Sequence, residues 1–127
     1  MKVLLDTHTL IWFTEGSERL STKAKSAIGD INNIKFISIV SLWEIVIKSS
    51  SNKLEFKQSL IEVNYFLSLN NIQTLTINTD HLNTLSGLPF HHKDPFDRLL
   101  IAQAISGKLA VISSDRHFSS YPVEVIW

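Results

Sequence analysis

Short apolar runs alternate with helix-patterned stretches along the whole chain, and this alternation narrows the fold more than any other feature. Residues 2–5, 35–39, 72–77, 109–112 and 123–126 are apolar or strictly alternating and read as strands. Between them lie helical patterns. One opens at Thr9 and breaks at Gly16-Ser17. A second starts from a Ser21 cap and runs through Ile28. A third starts from a Ser41 cap, carries Leu42, Trp43, Ile45, Val46 and Ile47, and loosens at residues 49–52. A fourth covers 57–69, and a short one runs from Thr79 or Asp80 to Leu85. The clearest begins at Asp94-Pro95 and ends at Gly107, with Pro at the first helical position and Gly at the far end. That helix is apolar nearly all round (Leu99, Leu100, Ile101, Ala102, Ala104, Ile105), which predicts deep burial. Strands that alternate with helices build βαβ units. The prediction is therefore one α/β domain over residues 1–127. Its core is a mainly parallel twisted sheet of four to five strands with helices on both faces in three layers.

Composition sets further bounds. The 127 residues contain no cysteine, which removes disulfide scaffolds, thiolate zinc sites and thiol nucleophiles. Twelve basic residues balance twelve acidic ones, so the strongly basic footprint of a high-affinity nucleic-acid binder is missing. No apolar run approaches the roughly 20 residues of a membrane span, and Asp6 falls too early for a signal peptide. The expectation is a soluble, cytoplasmic protein without a membrane partner.

The acidic residues are placed unevenly. Asp6 ends the first strand, Asp115 follows the 109–112 strand, and Glu44 lies about one helical turn beyond the 35–39 strand. Asp94 and Asp97 open the buried helix. In open parallel sheets, ligands bind at the carboxyl ends of the strands, so these positions can meet at one edge. Gathered carboxylates repel unless a cation holds them, and oxygen donors suit Mg²⁺ or Mn²⁺. Each acid also has an ordinary structural reading. Asp94 is a good N-cap, and Asp97 favours the helix dipole. Glu44 can pair with Lys48 on an exposed face, and Asp115 can be a turn residue. Asp6 has no such alternative, because an acid directly after a buried strand is costly without a partner. His8, His91, His92 and His117 read as loop or core histidines, and Trp12 and Trp43 as core. Ser38, Ser41, Ser113 and Ser114 read as caps and turn residues. Ser113 could also bond a water held by a metal. Lys48, Lys53, Lys57, Lys93, Arg98 and Arg116 read as scattered, mostly solvated basics, with those nearest the acids able to meet phosphates.

The segments L-L-D-T-H-T-L-I-W-F, S-L-W-E-I-V-I-K, L-P-F-H-H-K-D-P-F-D-R-L-L-I-A-Q-A and V-I-S-S-D-R-H-F together resemble a PIN domain, with VapC-type toxins of type II toxin–antitoxin pairs as the nearest branch. H-x-D-P-F-D-R-x-L-I-A-Q-A is the most specific part. The resemblance implies a PIN-like, Rossmann-like layered sheet and a Mg²⁺- or Mn²⁺-dependent endoribonuclease. It matches Asp6, Glu44, Asp97 and Asp115 to the family's four catalytic, metal-holding acids and Asp94 to an additional acid of this branch. Ser113 stands where relatives often carry Thr, which keeps the hydroxyl. The resemblance also implies an RNA substrate, a homodimer and a small antitoxin that covers the site. The Trp12-Phe13 and Trp43–Ile47 helices carry more apolar surface than one small core readily hides, so part of it is expected to take an antitoxin helix. Two alternatives remain: a noncatalytic binding module on the same scaffold, and a receiver-type phosphorylation switch. The switch needs an acceptor Asp ending the central strand and a Lys after a later one. Here the second strand ends near Ser38, and Lys108 precedes its strand.

Overall fold

The computed structural model describes all residues from Met1 to Trp127. Five strands form one sheet: β1 (Lys2–Leu5), β2 (Ile34–Ser38), β3 (Ile72–Leu75), β4 (Ala110–Ile112) and β5 (Val125–Ile126). Their spatial order is β3-β2-β1-β4-β5, and every pairing is parallel. Six helices cover it: α1 (Thr7–Glu15), α2 (Thr22–Gly29), α3 (Ile39–Ser50), α4 (Leu60–Leu69), α5 (Thr79–Ser86) and α6 (Pro95–Gly107).

Alternation along β1 sorts the core into two halves, because successive strand side chains point to opposite faces. Val3 and Leu5 join Leu10, Ile28, Leu42 and Leu67 from the helices α1 to α4. Leu4 joins Leu100, Ile101 and Phe118 on the other face, where α6 lies with α5 beside it. The all-round apolar character of α6 is answered by burial of every residue from Arg98 to Ala104. No helix is long and apolar enough to cross a membrane.

Several boundaries differ from the sequence reading, and each difference has a local cause. Asp6, directly after β1, already caps α1 by accepting from Thr9 N–H, so the helix starts two residues earlier than expected. Ser38, not Ser41, caps α3, so the strand yields one residue sooner and Ser41 lies buried inside the helix. Ser59 and Glu62 form a capping box that starts α4 beyond Lys57. β3 stops at Leu75, before the alternation of 72–77 runs out. Residues Arg116–Ser120 form a 3₁₀ turn that no periodicity announced. Gly107 is the last helical residue, and Lys108 takes the left-handed position after it. A Cβ at Gly107 would come within 3.3 Å of Leu109 Cγ, so this glycine makes room for Leu109 rather than supplying the turn.

Strand order places the site. From the central β1 the chain winds outward through β2 and β3, then returns to add β4 on the other side of β1. The carboxyl ends of β1 and β4 therefore flank the point where the winding direction reverses, the crevice that open sheets use for ligands. Asp6 N–H donates to Ile112 O (3.1 Å) and Thr9 Oγ1 donates to the same carbonyl (2.8 Å), which stitches the two strand ends together.

Candidate active site

Asp6 enters the crevice from the end of β1. It is buried, with Oδ1 accepting from Thr9 N–H (2.8 Å) and Oδ2 from the Ser113 hydroxyl. Burial pushes its carboxyl above the ordinary value, and the hydrogen bonds from Ser113 and Thr9 oppose that rise. Ser113 does more than turn the chain. Its hydroxyl also accepts from Asp115 N–H (3.0 Å), so one oxygen ties the acid of β1 to the acid that follows β4.

Glu44 projects from the second turn of α3 into the same crevice. The expected pair with Lys48 forms, but Glu44 is buried rather than on an exposed face. The Thr7 hydroxyl donates to Glu44 Oε1 (2.6 Å) and lies 2.9 Å from the Ser41 hydroxyl, so the first turn of α1 holds the carboxylate. The hydrogen bond to Glu44 raises the Lys48 ammonium above its usual value; burial opposes this, and the charges of Asp94 and Asp97 add to it. The residue next to Glu44 departs from expectation. Trp43 is 55% exposed and rests edge-on against Phe96 (5.1 Å between centroids) instead of entering the core, because turning Glu44 inward turns its neighbour out.

Asp94 and Asp97 stand at the start of α6. Asp94 is the N-cap, its Oδ1 accepting from Asp97 N–H (3.0 Å). Burial pushes the Asp97 carboxyl up to about 8, with the charges of Asp94, Asp6, Glu44 and Asp115 adding to the rise. That dependence places the other four acids within electrostatic reach of Asp97. Asp115 behaves oppositely. Burial would raise it, but hydrogen bonds from the His117 N–H and ring and from His92 outweigh burial and hold it below the ordinary value. Neighbouring carboxyls thus differ in protonation at neutral pH, a pattern typical of functional sites.

Two of the histidines expected to be plain loop or core residues, His92 and His117, touch the acids, whereas His8 and His91 are exposed. His92 Nε2 lies 3.0 Å from Asp97 Oδ2 and 2.9 Å from Asp115 Oδ2. His117 Nδ1 lies 2.8 Å from Asp115 Oδ1. The only sequence signal was proximity: His92 stands two residues before Asp94, and His117 two after Asp115. Arg98 also departs from the expected solvated position. It is buried, and its guanidinium donates to the carbonyls of Leu88 (3.0 Å), Pro89 (2.9 Å) and His92 (3.3 Å), clamping the loop before α6 instead of facing phosphates. Lys53, Lys57, Lys93 and Arg116 are exposed, as expected.

The fold recurs in known proteins. The pattern of the PIN domain family matches residues 3–124. A curated protein of Mycobacterium tuberculosis, Ribonuclease VapC22, is 26% identical over 120 residues, covering 94% of this chain and 91% of its own length. Among solved structures, VapBC2 from Rickettsia felis bound to a DNA fragment from its promoter superposes with a TM-score of 0.69 at 15% identity, over 98% of this chain and 97% of the other. A toxin–antitoxin complex from Klebsiella pneumoniae superposes with a TM-score of 0.62 at 22% identity, over 94% and 92%. The fold agrees across these structures, and the family match spans the strand ends and the helix opening that carry the acids: the chain belongs to the PIN domain family.

Proposed function

We propose that this protein is a divalent-metal-dependent endoribonuclease, the toxin of a toxin–antitoxin pair, that hydrolyses RNA phosphodiester bonds. The observation that carries the reading is the convergence of Asp6, Glu44, Asp97 and Asp115 at the β1–β4 switch point, close enough for three of them to help drive the Asp97 carboxyl to about 8. A fold tolerates such repulsion where function requires it. The donor set is all oxygen and includes no thiol, which suits Mg²⁺ or Mn²⁺. Asp6, Glu44, Asp97 and Asp115 would hold the ion, with Asp94 beside them as cap and additional charge. Bound there, the ion would supply Lewis acidity and a water of lowered pKa.

The chain's own residues prepare that site. Ser113 fixes the Asp6 and Asp115 positions relative to one another, and Thr7 fixes Glu44. Asp97, which burial and neighbouring acids hold protonated near neutral pH, would have to lose that proton to hold a cation. Lys48, beside Glu44 and only partly buried, is the cation nearest the cluster and can meet a phosphate oxygen of the substrate.

The names of the relatives support the partner as well. VapC22 is named a ribonuclease, and the two structures are toxin–antitoxin complexes. In this chain α3 and α4 leave Trp43, Val46 and Leu60 exposed around a groove of about 280 Å³, as an apolar antitoxin helix would require. Trp12 and Phe13 instead pack mainly against the core, so only the Trp43–Ile47 half of the expected apolar surface is offered. A homodimer is part of the same proposal. The test is cleavage of RNA by the purified chain after chelation, with Mg²⁺ or Mn²⁺ restored. Cleavage that returns with metal in the wild type and fails in Asp97→Asn supports the reading. Metal-dependent RNA binding without cleavage would make the chain a noncatalytic binding module.

A further inference from the structure

His92 stands between two of the acids, and the loop that carries it is held unusually firmly. Arg98 binds the carbonyls of Leu88, Pro89 and His92. Tyr121, from beyond β4, accepts from His92 N–H (2.9 Å) and donates to Pro89 O (2.7 Å). The Phe118 ring stands nearly perpendicular to the imidazole, 6.3 Å between centroids. The side chain is about nine-tenths buried. The ring has one further partner, and it decides the chemistry: Asp94 N–H donates to His92 Nδ1 (3.2 Å). An acceptor nitrogen carries a lone pair, so the proton of the neutral ring sits on Nε2. Nε2–H is then directed at Asp115 Oδ2 (2.9 Å), and Asp97 Oδ2 lies 3.0 Å from the same nitrogen.

We infer that His92 is a positioning residue that spaces Asp97 and Asp115 for the cation, acting as an N–H donor whose tautomer is fixed by the backbone of Asp94. The inference rests on the metal-dependent reading above and adds a residue to it. It also decides a competing possibility. His92, Asp115 and His117 present ligand atoms within 4.8 Å of one another, which on distance alone is a His₂-carboxylate metal triad. With Nδ1 occupied by an amide, Nε2 keeps its proton and offers no lone pair. The trio is therefore a hydrogen-bonded brace, with His117 on Asp115 Oδ1 and His92 on Oδ2. The geometry also gives the Asp94 cap a second role, since the same residue whose carboxylate starts α6 uses its N–H to set the imidazole.

Partners of this kind beyond the metal ligands commonly change metal affinity by about 10–100-fold when removed. Two measurements test the inference. In chelator-treated protein at pH 8, ¹⁵N NMR of the imidazole should show a single form protonated at Nε2. A ring protonated at Nδ1, or a mixture of the two, overturns the proposal without reference to any metal. Mn²⁺ binding, measured by calorimetry on variants verified as folded, should weaken about 10-fold or more in His92→Ala. It should stay within about threefold of wild type in His92→Gln, whose side-chain N–H reaches a similar position. Wild-type affinity in His92→Ala, or equal losses in both variants, overturns it. Asp97→Asn separates the two claims: a wild type that binds no better than Asp97→Asn sinks the nuclease reading and the affinity half of this proposal, while the tautomer result stands or falls alone.

Discussion

Replacing Asp97 by Asn should stabilise the chelated protein, and by more at pH 8 than at pH 4. In the unfolded chain this carboxyl titrates near its ordinary 3.8, whereas in the fold it titrates near 8. Between those values folding takes up a proton. The Asp97 contribution to stability is therefore greatest below pH 4 and falls as pH rises toward 8, by at most about 1.4 kcal/mol per pH unit. Across the whole window the ceiling is about 6 kcal/mol. The Asp97 side chain is 22% exposed and solvent screening trims this, so about 2–4 kcal/mol is the working figure. Asn carries no charge at any pH and escapes the penalty. For a chain of 127 residues about 1 kcal/mol moves Tm by about 3–5 °C, so Asn should raise Tm by roughly 6–20 °C at pH 8 and by little at pH 4. Thermal melts of both proteins at the two pH values, with chelator present, give the answer. Groups far from Asp97 titrate alike in the pair and cancel in the difference, which leaves Asp97 and the acids coupled to it. An equal Tm difference at both pH values, or a less stable variant at pH 8, would refute the claim that burial and neighbouring acids hold Asp97 protonated.

Further outcomes follow from the same contacts. Mn²⁺ binding at pH 7 should release about one proton and strengthen as pH rises to about 8, since Asp97 must ionise to bind; calorimetry in buffers of different ionisation heat measures this. Asp6→Asn keeps an acceptor for Thr9 N–H and should melt within about 1 kcal/mol of wild type, whereas Asp6→Ala loses the α1 cap and falls by about 1 kcal/mol more; both should lose cleavage. Arg98→Met strands three loop carbonyls and should cost at least about 2 kcal/mol, with Arg98→Lys restoring little because one ammonium cannot span them; denaturant melts decide. If water is the nucleophile, a 2′-deoxy substitution at the cut nucleotide should leave cleavage intact, with 5′-phosphate ends, and loss of cutting at that position would point to attack by the 2′-hydroxyl instead.

The fold was legible because its signals are local. Period-two and period-3.6 patterns lie within single segments, and α6 could be placed from Pro95, Gly107 and its apolar faces alone. Boundaries failed where one residue serves two elements. Asp6 and Ser38 each end a strand and cap the next helix, and a pattern read from one side assigns them once. The acids were legible as a set because strand ends converge whatever the details. Their supporting residues were not. His92 reaches the site because Arg98 and Tyr121 shape its loop, and Tyr121 is 29 residues away in sequence. Trp43 read as core because apolar neighbours surround it, yet the inward turn of Glu44 puts it on the surface.

The central claim is that acids from β1, α3, α6 and the segment after β4 hold one cation site on which RNA cleavage depends. The most direct measurement is an anomalous difference map from crystals soaked in Mn²⁺. The account predicts a peak in the β1–β4 crevice, about 2.1 Å from carboxylate oxygens of Asp6, Asp97 and Asp115, with Glu44 as a direct or water-linked partner and Asp94 still capping α6. A peak on His92 and His117, or no peak in that crevice at Mn²⁺ concentrations that support cleavage, would contradict it.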